Sequence, residues 1–184
     1  MNYKILTVLG LIMSVQFASA QAYDGMGDSK IFAGYANVGG VSGVDVQYDF
    51  GLSDLISLGA KMTILSKPDD REIEDNFDRS FKAFDAVNFG FYLRFHFSET
   101  LNLSEKIDPF AGFDFSSNSL GPHIGCKYNF SEVIGGYVQY SHSVSSSLAG
   151  DHVIVGETYG HYDDNINYFG KKSAIAFGIT FNLF

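Results

Sequence analysis

The chain has 184 residues, a net charge of −9, 18 Phe, 11 Tyr, no Trp and a single cysteine. That length suits one domain with its own core, the acidic balance argues against nucleic acid as a partner, and one cysteine excludes an intramolecular disulfide. So many rings with so few charges make a heavy apolar load for a protein that meets water on every side.

The first twenty residues read as a secretory signal peptide. Lys4 supplies the positive start, Ile5–Phe17 the apolar stretch, and Ala18-Ser19-Ala20 an A-x-A cleavage site, so cleavage is expected before Gln21. Residues 21–184 then form the second unit, and no later run reaches the roughly 18 consecutive apolar residues of a membrane-spanning helix. An exported chain of this composition can still enter a membrane as a closed β-barrel, the other structure that satisfies all its backbone groups in lipid.

Period-two alternation runs through the remainder and predicts eight strands. The first, near Lys30–Val38, alternates poorly and its facing is ambiguous. Val44–Phe50 sets Val44, Val46, Tyr48 and Phe50 against Asp45, Gln47 and Asp49. Leu55–Leu65 sets Ile56, Leu58, Ala60, Met62 and Ile64 against Ser57, Gly59, Lys61 and Thr63. Ala86–Phe97 carries a stripe of Val87, Phe89, Phe91, Leu93, Phe95 and Phe97 opposite Asn88, Gly90, Tyr92, Arg94 and His96. Ile107–Ser116, His123–Phe130, a less regular Ile134–Val144 and Ser173–Leu183 complete the set.

The links alternate as well. Compact ones ("GLSD", "SETLNLSEK", "SEV") follow strands two, four and six, while long polar ones, Ser66–Lys82 and about Ser145–Lys172, follow strands three and seven. Short periplasmic turns and longer extracellular loops are the habit of outer-membrane barrels. The predicted fold is therefore an all-β, eight-stranded antiparallel up-and-down transmembrane barrel with two long extracellular loops. Even-numbered strands end at one rim in aromatic pairs: Tyr48 and Phe50, Phe95 and Phe97, Tyr128 and Phe130, then Phe181 and Phe184. Such a ring reads as a periplasmic aromatic girdle.

Periodicity alone leaves a soluble, lipocalin-like barrel open, with the aromatic stripe turned inward. The polar face weighs against it, because it carries only seven charges (Asp45, Asp49, Lys61, Arg94, Asp108, Asp114, Lys127) and six glycines. A soluble surface favours more charge and strands avoid glycine, whereas a narrow lumen needs small residues and paired charges. The expected lumen network is Asp45, Lys61, Arg94, His96, Asp108, Asp114, His123 and Lys127. Within it, Asp45 is expected opposite Lys61, His96 near Asp108 and Asp114 near His123.

The opening "QAYDGMGDSK" (Gln21–Lys30) resembles the "A-[FY]-D-G-x-G-D-x-K" start of an uncharacterised family of exported proteins from Bacteroidota, as do "YDFGLSDLISLGAK", "FDRSFKAF", "GPHIGCKYNFSE" and "FGITFNLF". The resemblance implies a small outer-membrane barrel of unknown function and supplies no site residues. The C-terminus departs from the usual assembly signal, since Asn182 and Thr180, not apolar residues, stand in phase with Phe184.

Chemistry-bearing patterns are sparse. His142 lies next to serines, but Ser143 and Ser145 fall on the opposite face and Val144 holds the i+2 position that a lipid-modifying His/Ser pair requires. "GHYDDN" (Gly160–Asn165) with Asp151 and His152 has metal-ligand residue types without a known spacing, and "KPDDREIEDNFDR" (Lys67–Arg79) is a mixed charge run. No catalytic residue, cofactor or metal site is assigned. The expected role is a non-enzymatic, monomeric barrel acting through its loops, with outer-membrane lipid, lipopolysaccharide and the barrel-assembly machinery as partners. The alternatives are a narrow pore or carrier for a small or apolar molecule, and a lipid-modifying enzyme.

Overall fold

The computed structural model describes residues 21–66, 86–144, 169–170 and 172–183. The expected signal peptide, Phe184, "KPDDREIEDNFDR", Asp151, His152 and "GHYDDN" lie outside those residues. The strands are β1 (Ser29–Val38), β2 (Val41–Gly51), β3 (Ile56–Leu65), β4 (Val87–His96), β5 (Ile107–Ser116), β6 (Leu120–Asn129), β7 (Ile134–His142) and β8 (Ser173–Asn182). Each pairs antiparallel with its sequence neighbours, and β1 pairs with β8 from Lys30↔Asn182 to Val38↔Ala174, closing the barrel. Closure leaves no free strand edge.

The sheet has two unlike faces because side chains alternate along each strand. On the outside, Phe91 (65% exposed), Ile124, Phe89, Phe177 and Ile175 stand away from the protein. On the inside, Asp45, Gln47, Arg94, His96, Asp108 and Lys127 are buried. This polarity is the reverse of a lipocalin-like arrangement and rules it out. β1 also has a definite facing: Lys30, Phe32, Ala36 and Val38 point inward, while Tyr35 is exposed. Its sequence is apolar on both faces, which is why alternation gave no facing there.

An eight-stranded interior is just wide enough for side chains to fill it. The wide side chains fit because glycines stand across from them: a Cβ at Gly59 would meet the Tyr92 ring, and one at Gly125 the Phe110 ring. The short links β2–β3, β4–β5 and β6–β7 gather at one mouth. The chain before β1, Gln21–Asp28, folds across that mouth.

Candidate functional site: the filled lumen and its floor

Arg94, near the short-turn end of β4, is fully buried in the lumen. Its Nη1 donates to Asp49 Oδ2 at 2.9 Å, and Nη2 donates to Gln47 Oε1 at 2.8 Å and Gln139 Oε1 at 3.2 Å. The guanidinium also lies 4.1 Å from the Phe110 ring centre, 4.4 Å from Tyr92 and 5.0 Å from Phe32. A weakly hydrated planar cation tolerates such a dry, ring-lined position better than an ammonium would. This layer blocks the bore.

Toward the long-loop mouth, Lys61 Nζ meets Asp114 Oδ2 at 3.0 Å, and His123 Nδ1 lies 3.1 Å from Asp114 Oδ1. Above this pair a cavity of about 40 Å³ is lined by Lys61, Thr63, Asn88, Asp114, Ser119 and Ser141 among others. It has room for a few waters and none for a sugar or nucleotide. Asp45 is held by neutral donors: Gln47 Nε2 at 2.6 Å, Thr63 Oγ1 at 2.8 Å and the Tyr137 hydroxyl at 3.3 Å. The expected Asp45–Lys61 facing is therefore corrected. The β2–β3 link runs longer than a tight turn, so Asp45 faces Thr63 and Lys61 faces Gln47.

Toward the short-turn mouth, Lys127 Nζ lies 3.1 Å from Asp108 Oδ2, and His96 Nδ1 is 2.6 Å from the same oxygen. Ser57 Oγ sits 2.8 Å from His96 Nε2. Ser57–His96–Asp108 thus has the hydrogen-bond order of a hydrolytic triad. It cannot act as one in this state, because Ser57 is fully buried and the Tyr23 ring stacks on the imidazole with centroids 3.5 Å apart. No acyl group reaches the hydroxyl. The three residues instead pair the His96 ring nitrogens with Ser57 Oγ and Asp108 Oδ2, as burial demands.

Tyr23 belongs to the floor, the feature sequence reasoning missed. Its hydroxyl lies 2.7 Å from the Ser53 carbonyl and 2.8 Å from that of Ile56, and Lys127 Nζ stands 5.2 Å from its ring. Burial, and next the nearby Asp49 carboxylate, push the phenol pKa up, so it remains a neutral donor. Burial likewise raises the Asp24 carboxyl. The Gln21 carbonyl accepts from Asn129 Nδ2 at 2.7 Å, Ala22 N–H donates to the Glu105 carbonyl at 2.6 Å, and Gly27 pairs with Gly51. Asp28 meets Lys30 Nζ at 2.7 Å. Gly25 and Gly27 have φ of +84° and +90°, the left-handed region that favours glycine. The "AYDGMGDSK" stretch is thus a folded plug, tied to all three short links or the strands beside them. Its Gly-x-Gly spacing was the available signal.

The girdle residues among the described ones lie at this same mouth. Tyr48, Phe50, Phe95, Tyr128 and Phe130 are exposed, and Phe97 and Phe181 are half-buried. His142 is exposed, with Nδ1 3.0 Å from Ser173 Oγ, and Ser143 is buried on the other face. Among the described residues no group of three His, Cys, Asp or Glu could hold a metal.

Comparisons agree with this architecture. A chain solved in work on the de novo design of transmembrane β-barrels is similar to this one, with a TM-score of 0.52, 11% identity, and coverage of 87% of this chain and 98% of that one. A likeness at that identity concerns the fold alone. No curated protein matches the chain. A family model described as a family of unknown function (DUF6646) matches residues 12–183. The chain, an all-β closed eight-stranded barrel, belongs to that family.

Proposed function

We propose that this protein is a small, non-enzymatic barrel of the bacterial outer membrane, exported by a signal peptide cleaved after Ala20, with a structural or surface-interaction role carried by its two long loops. The observation that supports this is the inverted sheet: exposed Phe89, Phe91, Phe115, Ile124 and Phe177 encircle a polar interior. Leaving that belt in water would cost far more than soluble monomers tolerate, whereas a bilayer accepts it. The aromatic residues at the short-turn rim suit the lipid interface, and short turns suit the periplasmic side. The lumen, filled at the Arg94 layer and again at Tyr23, favours a sealed monomer over a pore or carrier. Lipid, lipopolysaccharide and the assembly machinery are the partners this reading implies, in a Bacteroidota host.

Cell fractionation with heat-modifiable gel mobility tests the reading. Recovery in the outer-membrane fraction, with a faster unheated band, is expected. Native protein in the periplasmic fraction would overturn it. Planar bilayers should register no steady conductance above the bare membrane.

A further inference from the structure

The floor is more than a seal. The Gly25-Met26-Gly27 turn presents Met26 at 79% exposure. On the ten-residue β4–β5 link, Leu101 and Leu103 are 56% and 41% exposed. Leu52, Leu55 and Val133 on the other two links are exposed as well. Turn residues have no packing reason to be leucine when their side chains reach no core. Interspersed with them are five carboxylates, Asp24, Asp54, Glu99, Glu105 and the half-buried Glu132, against one lysine, Lys106. The plug ties the three links together, so these groups share one end of the barrel.

We propose that this face docks a basic, amphipathic segment of another protein on the short-turn side of the membrane. The proposal rests on the membrane reading above, which puts this face in water beyond the lipid. Charge selects the occupant. A second copy would bring the same five carboxylates against this face, and anionic headgroups would be repelled by them. A segment with apolar residues on one side and Lys or Arg around them complements both the leucines and the acids.

The absence of Trp permits a clean probe. Leu101→Trp protein in zwitterionic bilayer discs would be titrated with a Leu/Lys amphipathic peptide of about five turns, with empty discs and a Leu/Glu peptide as references. Docking predicts a blue-shifted emission with the Leu/Lys peptide, absent with Leu/Glu, and roughly tenfold weaker binding, the loss of a few rim contacts, after Glu99→Gln/Glu105→Gln. A Met26→Ser/Leu103→Ser variant should weaken it similarly, which excludes capture by the acidic long loops. Any of these outcomes overturns the proposal: binding unaltered by either variant, floor-to-floor dimers in sedimentation, or quenching of the Leu101→Trp emission by brominated acyl chains. A failed peptide titration with the belt still quenched by brominated lipid would remove this proposal and leave the membrane reading intact.

Discussion

Phe91 and Arg94 stand three residues apart on β4, the first 65% exposed and the second fully buried. In a water-soluble sheet their places would be exchanged. What the difference teaches is that the two faces follow opposite rules: the outer face is apolar and exposed, and the inner face must provide for its own charges what water would otherwise supply. Five buried carboxylates, Asp28, Asp45, Asp49, Asp108 and Asp114, share the interior with Lys30, Lys61, Arg94 and Lys127. Nearly every one has a partner within about 3 Å, because an isolated charge in that bore would be far too costly.

The comparison is broken most severely from inside. Arg94→Leu leaves Asp49 without its cation and the Gln47 carbonyl without its donor, so refolding into lipid should lose about 3–5 kcal/mol, the usual cost of orphaning one member of a buried pair. Urea titration of the heat-modifiable band measures it, and adding Asp49→Asn should restore part of the loss. From outside, Phe91→Lys puts a charge in the belt and should cost about 2–4 kcal/mol if the side chain lies near the bilayer midplane. If this outward-facing position met water instead of lipid, the substitution would be nearly neutral, so the variant reports which solvent the outer face meets.

The floor should answer more weakly. Tyr23→Ala removes the stacking on His96 and should cost about 2–3 kcal/mol, less than a fully enclosed ring because the plug lies at the edge. Limited proteolysis should then cut within Gln21–Asp28 while the strands stay protected. The smallest effect concerns pH. The Tyr23 phenol has its pKa raised in the folded protein, so its contribution is fully present below the ordinary tyrosine value of about 10 and is lost as pH rises beyond it. Plug protection should therefore decline above about pH 10, and Tyr23→Phe should flatten that decline.

Much of this architecture was legible in the sequence because a closed barrel with an apolar outer face and a polar lumen imposes strict alternation. β3, β4 and β8 read cleanly, since each repeats apolar residues on the outer face without interruption. β1 did not, because Phe32, Ala36 and Val38 make its inner face as apolar as its outer one; they pack with Tyr137, Ala176 and the loop-side residues Leu65 and Phe169. Which residues enter the lumen also followed from phase, whereas which ones meet depended on link length. A β2–β3 connection longer than assumed moved Asp45 from Lys61 to Thr63. The plug was least legible. Tyr23 finds its acceptors 30 and 33 residues away, and nothing in local periodicity marks a segment that folds across the end of a barrel. The His96–Asp108 contact was anticipated from strand phase, whereas the place of Ser57 beside His96, on a third strand, was not.

The central claim is that the outer face of the sheet looks onto hydrocarbon. Phe91→Trp protein, refolded into vesicles whose acyl chains carry bromine near their midpoints, tests it directly. Strong quenching of a blue-shifted emission, in protein that retains heat-modifiable mobility, is the predicted result. An unquenched, red-shifted emission from equally well-folded protein would contradict the account.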